Sequence, residues 1–196
     1  LFFALLIAVS ASTAISYFGA RLNGAMLMRA SEFLGADLVL NGSSPATAEQ
    51  VASGKQLGLQ HAQLVEFSSV IATDDGIQLS SIKAADSAYP LRGALKSAAT
   101  PFAEEVSGGG PQPGEAWVEP RLLSALNLSI GDSIEVGLKH LRLTRVLTYE
   151  PDRASDFYSL TPRLLINLSD LQETGVVQPG SRVKYSELWR GSSEQI

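Results

Sequence analysis

The feature that most constrains this chain stands at its start. No charged residue occurs between Leu1 and Ala20, and Leu1 to Val9 is almost wholly aliphatic and aromatic. About 20 apolar residues cross a bilayer core, so the stretch is of spanning length. Ser10, Ser12, Thr13 and Ser16 dilute it, but small hydroxyl residues are tolerated where membrane helices face one another. A secretory leader would combine a cationic start with a small-residue cleavage site. Ser10-Ala11-Ser12 supplies only the second. Residues 1–20 therefore read as the end of a first transmembrane helix, in a fragment that begins inside it.

The pattern continues beyond the apolar run. Ile15, Phe18, Leu22, Met26, Ala30 and Phe33 recur at spacings of three and four, which lines them along one helical face. Arg21, Asn23, Arg29 and Glu32 lie mostly off that stripe, no proline interrupts it, and Gly35 stands where a helix would end. The spacing predicts one helix over residues 1–34, about 51 Å long at 1.5 Å per residue. A bilayer core takes roughly 30 Å of that. Residues 21–34 are then an amphipathic stalk in water, which a cleaved leader has no reason to become. Ile15, Phe18, Leu22 and Met26 are the expected stalk interface, packed against protein.

Hydrophobic residues make up 45% of the 196 and charged residues 18%, a balance that suits a folded body. The net charge of −5 argues against nucleic acid, whose phosphates need a cationic face. With no cysteine, disulfides, thiolate catalysis and Cys-based zinc sites are excluded. His61 and His140 alone leave little for metal chemistry, so neither metal nor cofactor is expected.

After Gly35, residues 37–40 read as a short strand ended by Asn41-Gly42. Ser44-Pro45 suits a helix start with Ser44 as cap, running to about Leu57 and stopping at Gly58. Strands over 64–71 and 77–83, joined at Asp74-Asp75-Gly76, predict a hairpin. Residues 98–115 hold Gly108-Gly109-Gly110, Pro111, Pro113 and Gly114, and read as a linker between subdomains 35–97 and 116–196. In the second, β-rich subdomain a short helix over 119–126 leads through Gly131-Asp132 to strands at 133–136 and 141–148. A strand at 163–166, a short helix at 169–173 capped by Ser169 and a strand at 182–185 complete it. Strands and helices without βαβ regularity predict an α+β fold.

Chemistry is sparse. Gly131-Asp132-Ser133-Ile134 is similar to the nucleophile block of GDSL-type esterases. Such a serine needs a positioned base, and neither histidine has the Asp-x-x-His partner. The block also falls where Gly-Asp is ordinary turn chemistry. No phosphate loop, nucleophile elbow or His-Glu-x-x-His helix occurs. No catalytic residue is expected. A Ser133-dependent hydrolase and a soluble periplasmic binding module with an uncleaved leader stand as the alternatives to a membrane-anchored domain.

Several stretches carry a resemblance. Leu34-Gly35-Ala36-Asp37-Leu38-Val39 directly after the apolar helix, and Ala85-Asp86 with Tyr89-Pro90-Leu91-Arg92-Gly93, resemble the periplasmic domain of FtsX-like ABC-transporter permeases of the YbbP-like branch. The segment from Val118-Glu119 through Leu122, Leu126, Ile130-Gly131-Asp132 and residues 134–136 is similar to one shared by the wider MacB and LolE relatives. Asp152-Arg153, the run Pro162 to Asn167, and Gln178-Pro179-Gly180-Ser181-Arg182-Val183 extend the likeness to about Tyr185. The resemblance implies a permease of the bacterial inner membrane, most of this chain lying in the periplasm. It implies a separate cytoplasmic ABC ATPase subunit, a second permease half or copy, the lipid bilayer and, in this branch, a periplasmic lipase or esterase as partners. It also implies mechanical coupling of ATP hydrolysis to the movement of lipids, lipoproteins or other hydrophobic cargo. In that family the domain returns to a second membrane helix, a segment expected beyond Ile196.

Overall fold

The computed structural model describes residues 2–73, 76–156, 161–178, 180–192 and 195, without the side chains of residues 23, 27–30 and 154–156. The apolar start forms α1, Phe2–Leu34, a single helix of 33 residues, as the spacing predicts. It is long and apolar enough to cross a membrane. Gly35 ends it at φ +69°. The Gly35 N–H donates to the Glu32 carbonyl (3.3 Å) and the Ala36 N–H to that of Ser31 (3.2 Å). This is a Schellman closure, which needs a left-handed residue at that point.

Beyond it, the described residues form ten strands: β1 Leu38–Gly42, β2 Gln60–Thr73, β3 Gly76–Ala85, β4 Leu95–Ala98, β5 Glu105–Gly108, β6 Glu115–Val118, β7 Ser133–Val136, β8 Lys139–Tyr149, β9 Arg163–Asn167 and β10 Val183–Arg190. Helices α2 Ala48–Gln56, α3 Pro120–Ala125 and α4 Leu171–Thr174, with 3₁₀ turns at Pro151–Asp156 and Leu168–Asp170, join them. The strands make one sheet in the order β1-β10-β2-β3-β9-β6-β8-β4-β5, with β7 also on β8. Only β3–β9 and β6–β8 run parallel. The α+β expectation holds. The stretch 98–115 carries β5 on the sheet's far edge, while β9 and β10 lie against β3 and β2.

Two helix starts differ from expectation. The cap of α2 is Thr47, in a box with Gln50: the Gln50 N–H donates to Thr47 Oγ1 (3.3 Å) and the Thr47 N–H to Gln50 Oε1 (2.9 Å). Ser44 cannot cap because the Ala46 N–H is held by the Glu187 carboxylate at 3.0 Å, which keeps this segment on the sheet. At residue 168 the cap is Asn167, whose side chain accepts from the Ser169 N–H (3.0 Å). The β2–β3 hairpin forms as expected, with Thr73 opposite Gly76; Asp74 and Asp75 lie outside the described residues.

Because side chains alternate along a strand, the sheet has two apolar faces. Val65, Phe67, Ile82, Ala84, Val118, Leu164 and Ile166 join Leu122 of α3 and Leu126 just after it in one core. The other core gathers Leu64, Ala85, Trp117, Leu147, Leu165 and Leu188 under Ala36, Tyr89, Leu91 and Leu95. This second face carries the root of α1.

Candidate functional site

Lys83 lies in β3 between Ile82 and Ala84. Those two face the first core, so alternation turns Lys83 toward the second face, where its side chain is only 1% exposed. A buried ammonium is costly unless paired. Three carboxylates surround it: Nζ stands 2.5 Å from Glu150 Oε1, 2.8 Å from both Asp152 oxygens and 3.6 Å from Glu66 Oε1. Glu66 is the cross-strand partner of Lys83. Arg163 at the start of β9 donates to Glu66 Oε1 (2.7 Å) and lies 3.4 Å from Glu150. The Tyr89 hydroxyl donates to Asp152 Oδ1 (2.5 Å). One network thus joins β2, β3, β9, the segment before β4 and the turn after β8.

The charges set one another's protonation. Burial works to raise the Glu66 pKa, but Lys83 and then Arg163 outweigh it and bring it to about 2. Burial disfavours the Lys83 cation, yet Glu150, Asp152 and Glu66 hold its pKa above the ordinary lysine value. Burial, then the negative charges of Asp152 and Glu150, push the Tyr89 phenol well upward, so it stays a donor.

Beside the network lies a clamp. Arg92 forks onto Asp37, Nε to Oδ1 at 2.9 Å and Nη2 to Oδ2 at 2.8 Å. The Gly191 N–H donates to the same Asp37 Oδ2 (3.2 Å), and Arg92 Nη2 also reaches the Gly191 carbonyl (3.3 Å). The Arg92 N–H donates to the Gly35 carbonyl (2.9 Å), and the Asp37 N–H to that of Trp189 (3.0 Å). The foot of α1, the segment before β4 and the chain leaving β10 therefore meet at one point.

Close packing links clamp and network. Gly93 has φ +73°, and a Cβ there would sit 3.3 Å from the Glu32 carbonyl oxygen and 3.5 Å from Pro151 Cγ. A Cβ on Gly35 would stand 3.4 Å from the Tyr89 ring. The last turn of α1 thus rests on Gly93 and Pro151, next to the Asp152 that binds Lys83. A cavity of about 700 Å³ opens beside this root, lined by Leu34, Val39, Leu64 and Leu188 together with Glu66, Asp152, Arg163 and Lys184. The arrangement holds no nucleophile with a base. It is suited to carrying displacement of α1 into the sheet.

The stripe residues Ile15, Phe18, Leu22 and Met26 lie on α1 away from this root, 72%, 67%, 50% and 64% exposed; the Ala30 side chain lies outside the description. The Ser133 hydroxyl points to the Leu141 carbonyl (3.5 Å), while His140 pairs with Glu135 (3.0 Å) and His61 with Glu187 (2.7 Å). The structure therefore joins Ser133 to neither histidine. Sequence reasoning missed Lys83, Glu66 and Glu150 as a site. A signal for its neighbours was present: Gly35, Asp37, Tyr89, Arg92, Gly93, Asp152 and Arg163 all fall in the resembling stretches, and the fold brings those stretches to one place.

No protein-family model matches the chain. The fold is similar to the crystal structure of the extracellular domain of YknZ, a noncanonic ABC-type transporter from Gram-positive bacteria. The TM-score is 0.51 at 11% identity, covering 81% of this chain and 87% of that one. An α+β sheet domain, here following a membrane-length helix, is the fold this chain shares with that extracellular domain. In sequence the chain is related to the ABC transporter permease YbbP of Escherichia coli (strain K12), 32% identical over 193 residues. That alignment takes in 98% of this chain and 23% of the permease, so the chain spans less than a quarter of its relative.

Proposed function

We propose that this domain is the periplasmic lever of an inner-membrane permease, coupling ATP hydrolysis in a separate cytoplasmic subunit to the extraction or export of lipids, lipoproteins or other hydrophobic cargo. The observation that carries this reading is the root itself. Asp37 and Arg92 bind the foot of α1 to the chain leaving β10, and the Glu32–Gly93–Pro151 contact sets the helix against a charged, buried network. A continuous helix is stiff, and a body fixed to it at several points follows its tilt.

On this reading Ile15, Phe18, Leu22 and Met26 pack against the stalk of a second permease half or copy. A periplasmic lipase or esterase is a further partner of the assembled transporter. The test is Gly24→Pro in the full-length transporter with its ATPase. Proline inside a helix removes an i→i−4 bond and costs about 3 kcal/mol or more. Transport-coupled ATPase activity should fall while the circular dichroism of the sheet domain is unchanged. Full coupling with a broken α1 would overturn the lever.

A further inference from the structure

On the sheet face opposite the root, α2 bridges rather than seals the sheet. It has no buried side chain, and it approaches β10 through Gly54, where any Cβ would collide with the Trp189 ring. A cavity of about 400 Å³ remains between α2, β1 and β10, within the size range of small-molecule sites. Its apolar walls include Leu38, Leu40, Leu59 and Tyr185, and Asn41 and Gln50 also line it. The charge in that lining is Glu187, a carboxylate only 4% exposed; no lysine or arginine lines the space.

Glu187 is held in place from three sides. The Ala46 N–H (3.0 Å) and the Gln63 amide (2.8 Å) donate to Oε1, and His61 Nε2 stands 2.7 Å from Oε2. His61 in turn lies against Trp189, ring centres 4.4 Å apart. A carboxylate offers about four acceptor positions. Three are taken among the described residues, and Glu187 itself lines the cavity.

We infer that this cavity binds a small organic cation, its ammonium head on Glu187 and its apolar body against Leu38, Leu40, Leu59 and Tyr185. An anion would meet a buried negative charge with no cation in the lining. A neutral apolar molecule would bring no counter-charge to the carboxylate in the lining. A cationic head supplies both the charge and the donor, and charge-assisted bonds are the stronger kind. This site stands on the face away from the root and does not depend on the lever.

The probes are benzylammonium and 2-phenylethylammonium, against benzyl alcohol and benzoate, titrated calorimetrically into the full chain in nanodiscs. The ammonium probes should bind at one per chain, roughly tenfold or more tighter than benzyl alcohol, and benzoate should not bind. Glu187→Gln should erase the preference for cations while leaving benzyl alcohol unchanged. Because Glu187 also anchors Ala46, a second variant, Leu40→Trp, fills the cavity without touching the carboxylate's partners and should abolish binding of every probe. Equal affinity for the cation, the alcohol and the acid would overturn the proposal, as would cation binding that survives both substitutions or no cation binding to the unaltered chain.

Discussion

Asp37 and Arg92 tie together the two places where the polypeptide meets the helix root. Their fork closes at 2.9 and 2.8 Å, and the same carboxylate takes the Gly191 N–H from the chain leaving β10. Burial works to raise the Asp37 pKa, but the hydrogen bonds from Arg92 and Gly191 outweigh it and hold it below the ordinary value. Arg92→Gln keeps much of the side-chain volume and removes the fork. The pair is partly exposed, so the expected loss is only about 1 kcal/mol. Hydrogen exchange should nevertheless accelerate at residues 36–38 and at Gly191. Protection unchanged at both places would show that the clamp does not hold them together.

Lys83 presents the opposite case, a small group of charges with a large consequence. Removing one partner of a buried ion pair leaves an uncompensated charge and costs about 3–5 kcal/mol. Lys83→Met should therefore lower the urea midpoint strongly, because it removes the cation nearest Glu150 and leaves the more distant Arg163. The double variant Lys83→Met/Glu150→Met should recover part of that loss, since it also removes the stranded carboxylate. If the double variant is less stable than the unaltered protein by the sum of the two single losses, the network is not the unit described.

Much of the fold was legible in the sequence. The Gly35 stop, the hairpin and the short strands 133–136 and 163–166 follow from periodicity and turn chemistry, which act locally. Misplaced caps at Ser44 and Ser169 have non-local or near-neighbour causes. Glu187, 141 residues away, claims the Ala46 N–H, and Asn167 sits two residues ahead of the expected cap. The Thr47–Gln50 spacing was a readable signal for the true start. The charged root was hidden for a different reason. Lys83 and Glu66 each alternate with apolar residues, the pattern of a strand with one face in water. Only the cover supplied by Tyr89, Asp152 and the foot of α1 turns that face into an interior.

Acid should unfold this domain through the root. Glu66 has a folded pKa of about 2 against an ordinary glutamate value of 4.5. A depressed carboxylate pKa contributes stability that is full above the unfolded value and is lost as pH falls through the folded one. Stability should accordingly hold above pH 4.5 and decline from there toward pH 2. The full Glu66 contribution is about 3 kcal/mol, and Asp37 and Glu187 are displaced in the same direction. Glu66→Gln should flatten the slope of unfolding free energy against pH across that interval. An unchanged slope would assign the acid sensitivity to other carboxylates.

Gly93 offers a way to disturb the helix seat without removing a charge. Its φ of +73° already disfavours any side chain, and a Cβ would press on the Glu32 carbonyl and on Pro151. Gly93→Ala should cost about 1–3 kcal/mol through strain. In the full-length transporter it should also weaken coupling more than Gly108→Ala, a position with open space around it. Equal effects of the two substitutions on coupling would detach the seat from function.

The stalk stripe is where the proposed lever is most directly tested. Leu22 and Met26 are 50% and 64% exposed on α1, and a large apolar side chain left wet forgoes roughly 1.5–3 kcal/mol. A helix that leaves the bilayer with such a stripe gains by meeting another stalk. This chain contains no cysteine, so single cysteines at Leu22 and Met26 report on their surroundings without interference from it. In the full-length permease, on a background cleared of any cysteine elsewhere, both should crosslink to a companion stalk and should resist a water-soluble maleimide. Cysteines at Arg21 and Gly24, on other sides of the helix, should label freely in the same preparation. If Leu22 and Met26 label as fast as those controls and crosslink to nothing, the stripe faces water and the lever has no partner there.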